Sequence, residues 1–111
     1  MLTPEAFKEA RGVLQGVLRP TPLIHSPYLS RAWGNHVYLK PENMQATGAY
    51  KLRGAYYKIS KLSQAEKEQG LVTASAGNHA QGVAYAAQAA GVAATIVMPT
   101  TTPLVKVNNT K

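Results

Sequence analysis

The sequence predicts an α/β fold, and three observations carry that prediction. Two short runs rich in β-branched and small apolar residues, "LVTA" at 71–74 and "AATIVMP" at 93–99, have the character of strands. Between them "VAYAAQAAG" has helical composition and a glycine stop at Gly91. Strand, crossover helix and strand of this length make a βαβ unit, which pairs its strands in parallel.

Taken in chain order, Thr3-Pro4 is an N-cap followed by proline at the first helical position. Phe7, Ala10, Leu14 and Val17 then recur at helical spacing, which predicts an amphipathic helix over 4–17. "RPTPLIHSP" carries three prolines and predicts an extended connector. "HVYLKPE" predicts a short strand closed by Pro41. Thr47-Gly48 opens a second helix reaching about Leu62, and "SQAEKEQ" adds a helical turn ending at Gly70. After the first strand of the βαβ unit, "SAGNHAQG" is a turn into the crossover helix. "TPLVKVNNTK" begins another helix, with Thr102 as N-cap and Pro103 at its first position. A two-stranded parallel unit cannot cover its own faces and edges. The expectation is therefore an incomplete domain, or one completed by a partner chain.

Composition narrows the function classes. The 111 residues are 45% hydrophobic and 15% charged, which fits one folded core and argues against disorder. The net charge is +7, but the basic residues are scattered without a run that would mark a nucleic-acid patch. No cysteine is present, which removes disulfides, thiolate catalysis and zinc-thiolate sites. No window has the length and apolarity of a signal peptide or a membrane span. The expectations are a cytoplasmic location, no membrane or nucleic-acid partner, and no metal site.

Two stretches carry candidate chemistry. "TASAGNHAQG" lies at the carboxyl end of a predicted parallel strand and the amino end of a helix. Open parallel sheets bind ligands at that edge, and helix N-termini offer unpaired N–H groups to anions. Ser75, Ala76 and Gly77 are small enough to let a ligand approach the backbone, and Asn78 and His79 add side-chain donors. Gly77 and Gly82 have the spacing of a phosphate-binding P-loop, but Val83-Ala84 stand where Lys-Ser/Thr is required. The residues alone equally describe a capped turn with an exposed histidine.

The second stretch is "ENMQATGAYKLRGAYYKI". Lys51, at the start of its helix, is exposed to the positive end of the helix dipole, a field that favours the neutral amine that attacks carbonyls. Gly48 and Ala49 leave room for a flat ligand beside it. A surface lysine on a polar helix face is the other description these residues permit.

The two stretches together resemble a known family. "ENMQATGAYKLRGA" is similar to the lysine signature of the fold type II pyridoxal-phosphate enzymes, the tryptophan-synthase-β type. "TASAGNHAQGVAYAA" is similar to that family's asparagine loop, and "IVMP" followed by a lysine continues the likeness, in the expected order, over essentially the whole chain. Within the family the likeness is strongest to the threonine dehydratase (threonine ammonia-lyase) branch, with serine racemase a near relative.

The resemblance implies a three-layer, parallel-sheet fold and pyridoxal 5'-phosphate as cofactor. Residues 1–40 would belong to the large domain of the parent fold, and 41–111 would begin the small domain. Lys51 would be the Schiff-base lysine and the base that takes the Cα proton. Asn78 would hydrogen-bond the cofactor's phenolic oxygen, and Tyr50, where the family more often has Phe, would pack near the ring. Ser75, Ala76, Gly77, Asn78 and His79 would hold the substrate carboxylate. Ala49 replaces the commonest Ser, and Arg53 and Gly54 complete the signature as structural residues. The implied reaction is β-elimination of L-threonine, with L-serine as a second substrate, to 2-oxobutanoate or pyruvate and ammonia, in a homo-oligomeric parent. The family's glycine-rich phosphate loop has no counterpart here, since no two of the nine glycines adjoin. The expectation is that this segment alone is a poor enzyme. A serine racemase-like enzyme and a non-catalytic folded fragment are the two alternatives.

Overall fold

A computed structural model describes residues 2–111. Helix α1 spans Pro4–Leu14 and begins as its sequence demands, with the Ala6 N–H donating to the Thr3 hydroxyl at 3.3 Å and proline in the first turn. It stops three residues before the predicted end, because Gly16 takes φ +86°, which no continuing α-helix accepts. Of the apolar set Phe7, Ala10, Leu14 and Val17, only Leu14 is buried, and Phe7 is 64% exposed.

The proline-rich connector is less extended than expected. Strand β1 is Ile24–His25, and helix α2, Pro27–Trp33, follows it immediately. Ser26 caps α2 by accepting from the Leu29 N–H, Pro27 occupies its first turn, and Gly34 ends it at φ +64°. The third proline of the connector thus opens a helix instead of forbidding one. Strand β2, Tyr38–Leu39, returns antiparallel to β1, pairing Ile24 with Leu39 and His25 with Tyr38.

A 3-10 turn at Glu42–Met44 leads into helix α3, Lys51–Ser60. The helix starts at Lys51 and not at Thr47, because Gly48 sits at φ +67° and breaks the helical path. Helix α4, Gln64–Gln69, has a complete capping box between Ser63 and Glu66 and ends at Gly70, φ +79°. Strand β3, Leu71–Ala74, helix α5, Asn78–Ala90, and strand β4, Ala94–Val97, form the predicted βαβ unit, with Leu71 to Ala74 in parallel register with Ala94 to Val97. Helix α6, Leu104–Asn108, comes last. Thr102 does not cap it: Pro103 holds the N-cap position, and the Thr102 hydroxyl instead donates to the Pro99 carbonyl at 2.7 Å.

The core lies between α3 and α5. Leu52, Ala55 and Ile59 recur on the buried face of α3, and Ala80, Gly82, Val83, Ala86 and Ala87 on that of α5. Among the described residues Leu52 is the one large side chain buried completely; on α5 the inward residues are Gly, Ala and Val, and at Gly82 the two helices meet nearly backbone to backbone. That close approach fixes where the starts of both helices lie. The outer side of the parallel pair is open, with Val72 and Val97 both exposed. No helix among the described residues is long and apolar enough to cross a membrane.

Candidate functional site

Lys51 is the first residue of α3, and Tyr50 precedes it as an N-cap residue with helical angles and no side-chain cap bond. The turn that delivers Lys51 is held by the Gly48 N–H donating to the Gln45 carbonyl at 2.8 Å and by the Thr47 hydroxyl donating to the Ala49 carbonyl. Ala49 is buried, while Tyr50 and Lys51 are exposed. Among the described residues the Lys51 side chain makes no hydrogen bond or ion pair. Its amine is open to a ligand arriving from solvent.

Two cations, Lys51 and Arg53, occupy a first turn that contains no acid, where the helix dipole disfavours both. Compensation comes from outside the helix. The Glu42 carboxylate accepts from Arg53 Nε at 2.9 Å and Nη2 at 2.8 Å, and from the Thr21 hydroxyl at 2.8 Å. These bonds, above all those from Arg53, pull the Glu42 carboxyl down from 4.5 to about 2 against the opposing effect of burial. The same pair raises the Arg53 guanidinium above its usual value.

The second half of the site is the turn between β3 and α5. The Ser75 N–H donates to the Val97 carbonyl at 3.0 Å, which ties the turn to the carboxyl end of the parallel pair. The Ser75 hydroxyl accepts from the Gly77 N–H at 3.2 Å. Gly77 is the N-cap of α5 and supplies no side-chain cap, so the first N–H groups of a 13-residue helix remain unmatched by side chains. The space where a Gly77 side chain would project is empty. Ser75, Ala76 and Gly77 are partly buried; Asn78 and His79 are exposed.

Gly82 brings the two halves together. A Cβ placed on it would stand 3.2 Å from the Leu52 nitrogen and 3.3 Å from the Lys51 carbonyl carbon and oxygen. Gly82 lies one helical turn beyond Asn78, so the Lys51 peptide rests against the opening turns of α5. Two uncapped helix starts therefore share one corner, one bearing a free amine and the other a set of free N–H donors. This convergence is at the level of the backbone: among the described residues no hydrogen bond joins Lys51 to Asn78, nor Tyr50 or His79 to either.

The sequence motifs contain this corner but not its supports. Gly82 was visible only as a failed P-loop match, and its contact with Lys51 depends on α3 lying across α5. Gln45, 3% exposed, accepts from the Arg19 N–H at 2.8 Å and donates to the Arg19 carbonyl at 3.1 Å. The one signal for this frame was the unlike charge of Glu42 and Arg53, eleven residues apart. No cluster of three or more His, Asp or Glu side chains suited to a metal ion occurs among the described residues.

The family model described as "Pyridoxal-phosphate dependent enzyme" matches residues 14–111. The chain is 53% identical over its whole length to an L-threonine ammonia-lyase of Thermotoga maritima, spanning 28% of that protein. Among solved structures, a serine racemase from Dictyostelium discoideum superposes with a TM-score of 0.90 at 35% identity, over 98% of this chain and 36% of that one. The processed form of threonine deaminase isoform 2 from Solanum lycopersicum superposes with a TM-score of 0.79 at 42% identity, over 99% of this chain and 31% of that one. The chain thus corresponds to about a third of the length of these relatives.

Proposed function

Because the chain belongs to the pyridoxal-phosphate dependent enzyme family, we propose that it is the lysine-bearing part of a threonine ammonia-lyase, which eliminates water from L-threonine to give 2-oxobutanoate and ammonia. L-Serine, giving pyruvate and ammonia, is the second substrate. Residues 1–40 belong to the larger domain of the whole enzyme and 41–111 open the smaller one; the enzyme is cytoplasmic and a homo-oligomer. The observation that supports the proposal is the contact of Gly82 with the Lys51 peptide, which brings the first turn of α3 against the opening turns of α5, whose start carries no side-chain cap.

The residues present fit the cofactor in part. Lys51 supplies an accessible amine for its aldehyde, Asn78 an amide for its ring oxygen, and Tyr50 an exposed aromatic face beside the lysine. Its phosphate needs several fixed donors, and these 111 residues contain no glycine run to provide them. When bound, the cofactor supplies the electron sink for the Cα carbanion. The chain supplies the rest locally. The N–H groups at the start of α5, with Ser75, Ala76, Gly77, Asn78 and His79, take the substrate carboxylate, because a helix N-terminus attracts an anion. The Lys51 amine would take the Cα proton at Nζ, reaching it from a backbone position that the contact with Gly82 holds in place.

Identity among the solved structures favours the threonine enzyme over the racemase, 42% against 35%. The test is to mix the purified chain with pyridoxal 5'-phosphate and scan for an imine absorbance band, with Lys51→Ala beside it. A band in the parent and none in the variant is expected. Its absence from both leaves a non-catalytic folded fragment, and equal bands remove Lys51 from its role. Release of 2-oxo acid from L-threonine, L-serine or D-serine separates the lyase from the racemase.

A further inference from the structure

Chemistry accounts for the lysine of the signature but not for its acid and its arginine. Arg53 stands in the first turn of α3, where the helix dipole opposes a cation. An isolated helix would favour Asp or Glu there. The structure supplies the reason for a guanidinium. Arg53 forks onto both oxygens of Glu42, at 2.9 and 2.8 Å, a geometry that lysine cannot reproduce. The Glu42 side chain is only 16% exposed, although that of Arg53 is 38% exposed, so the carboxylate half of the pair is more sheltered than in the ordinary surface ion pair that contributes little.

The pair is also the hub of a wider frame. Glu42 accepts from Thr21, which is 7% exposed, and Lys40 Nζ donates to the Thr21 carbonyl at 2.6 Å. Gln45 pairs with both backbone groups of Arg19. Residues 19–21, the turn at Glu42–Met44 and the first turn of α3 are thereby bolted into one piece. On its other side that first turn meets Gly82. Among the described residues Lys51 has no side-chain partner of its own, so its placement comes from the backbone between these two supports.

We propose that Glu42 and Arg53 are positioning residues for Lys51. Their bidentate pair sets the depth and rotation of the first turn of α3, so that the amine faces the Ser75–His79 turn. The inference rests on the proposed function and extends it to two residues that touch neither cofactor nor substrate.

The test reads where pyridoxal 5'-phosphate attaches, not turnover. The chain is incubated with pyridoxal 5'-phosphate, the imines are reduced with borohydride, and the eight lysines are compared by peptide mass mapping. The parent labels Lys51 ahead of the others. Glu42→Gln and Arg53→Gln lower the Lys51 share roughly tenfold or more, since a misplacement of about 1 Å costs on the order of 100-fold. Arg53→Lys, which keeps the charge and loses the fork, falls between. Melting curves are recorded on every variant. Should Arg53→Gln fail to fold, the isosteric Glu42→Gln gives the same readout. Variants that melt lower yet label Lys51 as strongly as the parent overturn the proposal, leaving the pair a purely structural tie. A parent with no preference for Lys51 overturns the proposed function and this inference with it.

Discussion

Replacing Gly82 by alanine tests the contact on which the site depends. The added methyl would stand 3.2 Å from the Leu52 nitrogen and 3.3 Å from the Lys51 carbonyl carbon and oxygen. All three are backbone atoms, so no side chain can swing aside, and α3 must retreat by a few tenths of an ångström. Two effects oppose each other. Gly82 lies inside α5 without positive φ, so alanine gains about 0.5–1 kcal/mol of helix propensity. Overpacking a close contact costs roughly 1–3 kcal/mol. The balance is a net loss of about 1 kcal/mol. For a chain of this size that lowers the melting temperature by roughly 4–8 °C. Circular dichroism melts of the two proteins measure the loss, and reductive trapping with pyridoxal 5'-phosphate measures the displacement of Lys51. A melting temperature raised by the full propensity gain, with Lys51 labelling unchanged, would refute the contact and with it the geometry of the corner.

Two further outcomes follow from the packing and the charges. Leu52→Ala empties the one large, completely buried position of the core and costs roughly 2–5 kcal/mol, enough to abolish a cooperative melt in a chain with so few large buried side chains. Glu42, held down from 4.5 to about 2, contributes stability that is complete above pH 4.5 and is lost as pH falls toward 2. Acid titrations of the parent and Glu42→Gln therefore differ in that window and run parallel above it. Glu66, also lowered by its Ser63 cap, titrates in both proteins and cancels in the comparison.

The parts legible in the sequence are those encoded by neighbours. "LVTA" is a strand with the bounds expected of it, and Gly70 and Gly91 end their helices where a glycine at positive φ is needed. The motifs around Lys51 and Asn78 were visible for the same reason, as contiguous runs. Helix α2 was missed although Ser26-Pro27 repeats the pattern of Thr3-Pro4, because the surrounding prolines outweighed it. The β1–β2 pairing joins two-residue strands across an intervening helix, and no local periodicity encodes it. Phe7 was expected inward on spacing alone, but nothing among the described residues packs over it enough to bury it. The supports of the site, Gln45 on Arg19 and Glu42 on Arg53 and Thr21, join residues 11 to 26 positions apart. Such links exist only once the chain has turned back on itself.

The point where Gly82 of α5 meets the backbone of Lys51 and Leu52 limits how the molecule can move. With no side chain between the helices at that contact, sliding one past the other there drives backbone into backbone, and no rotamer change relieves it. The backbones of Lys51 and Asn78 thus travel as one body. Any opening or closing of this corner must pivot at its flanks, in the stretch leading up to Tyr50 and at Ser75–Gly77, and the spacing of the two helix starts survives the swing.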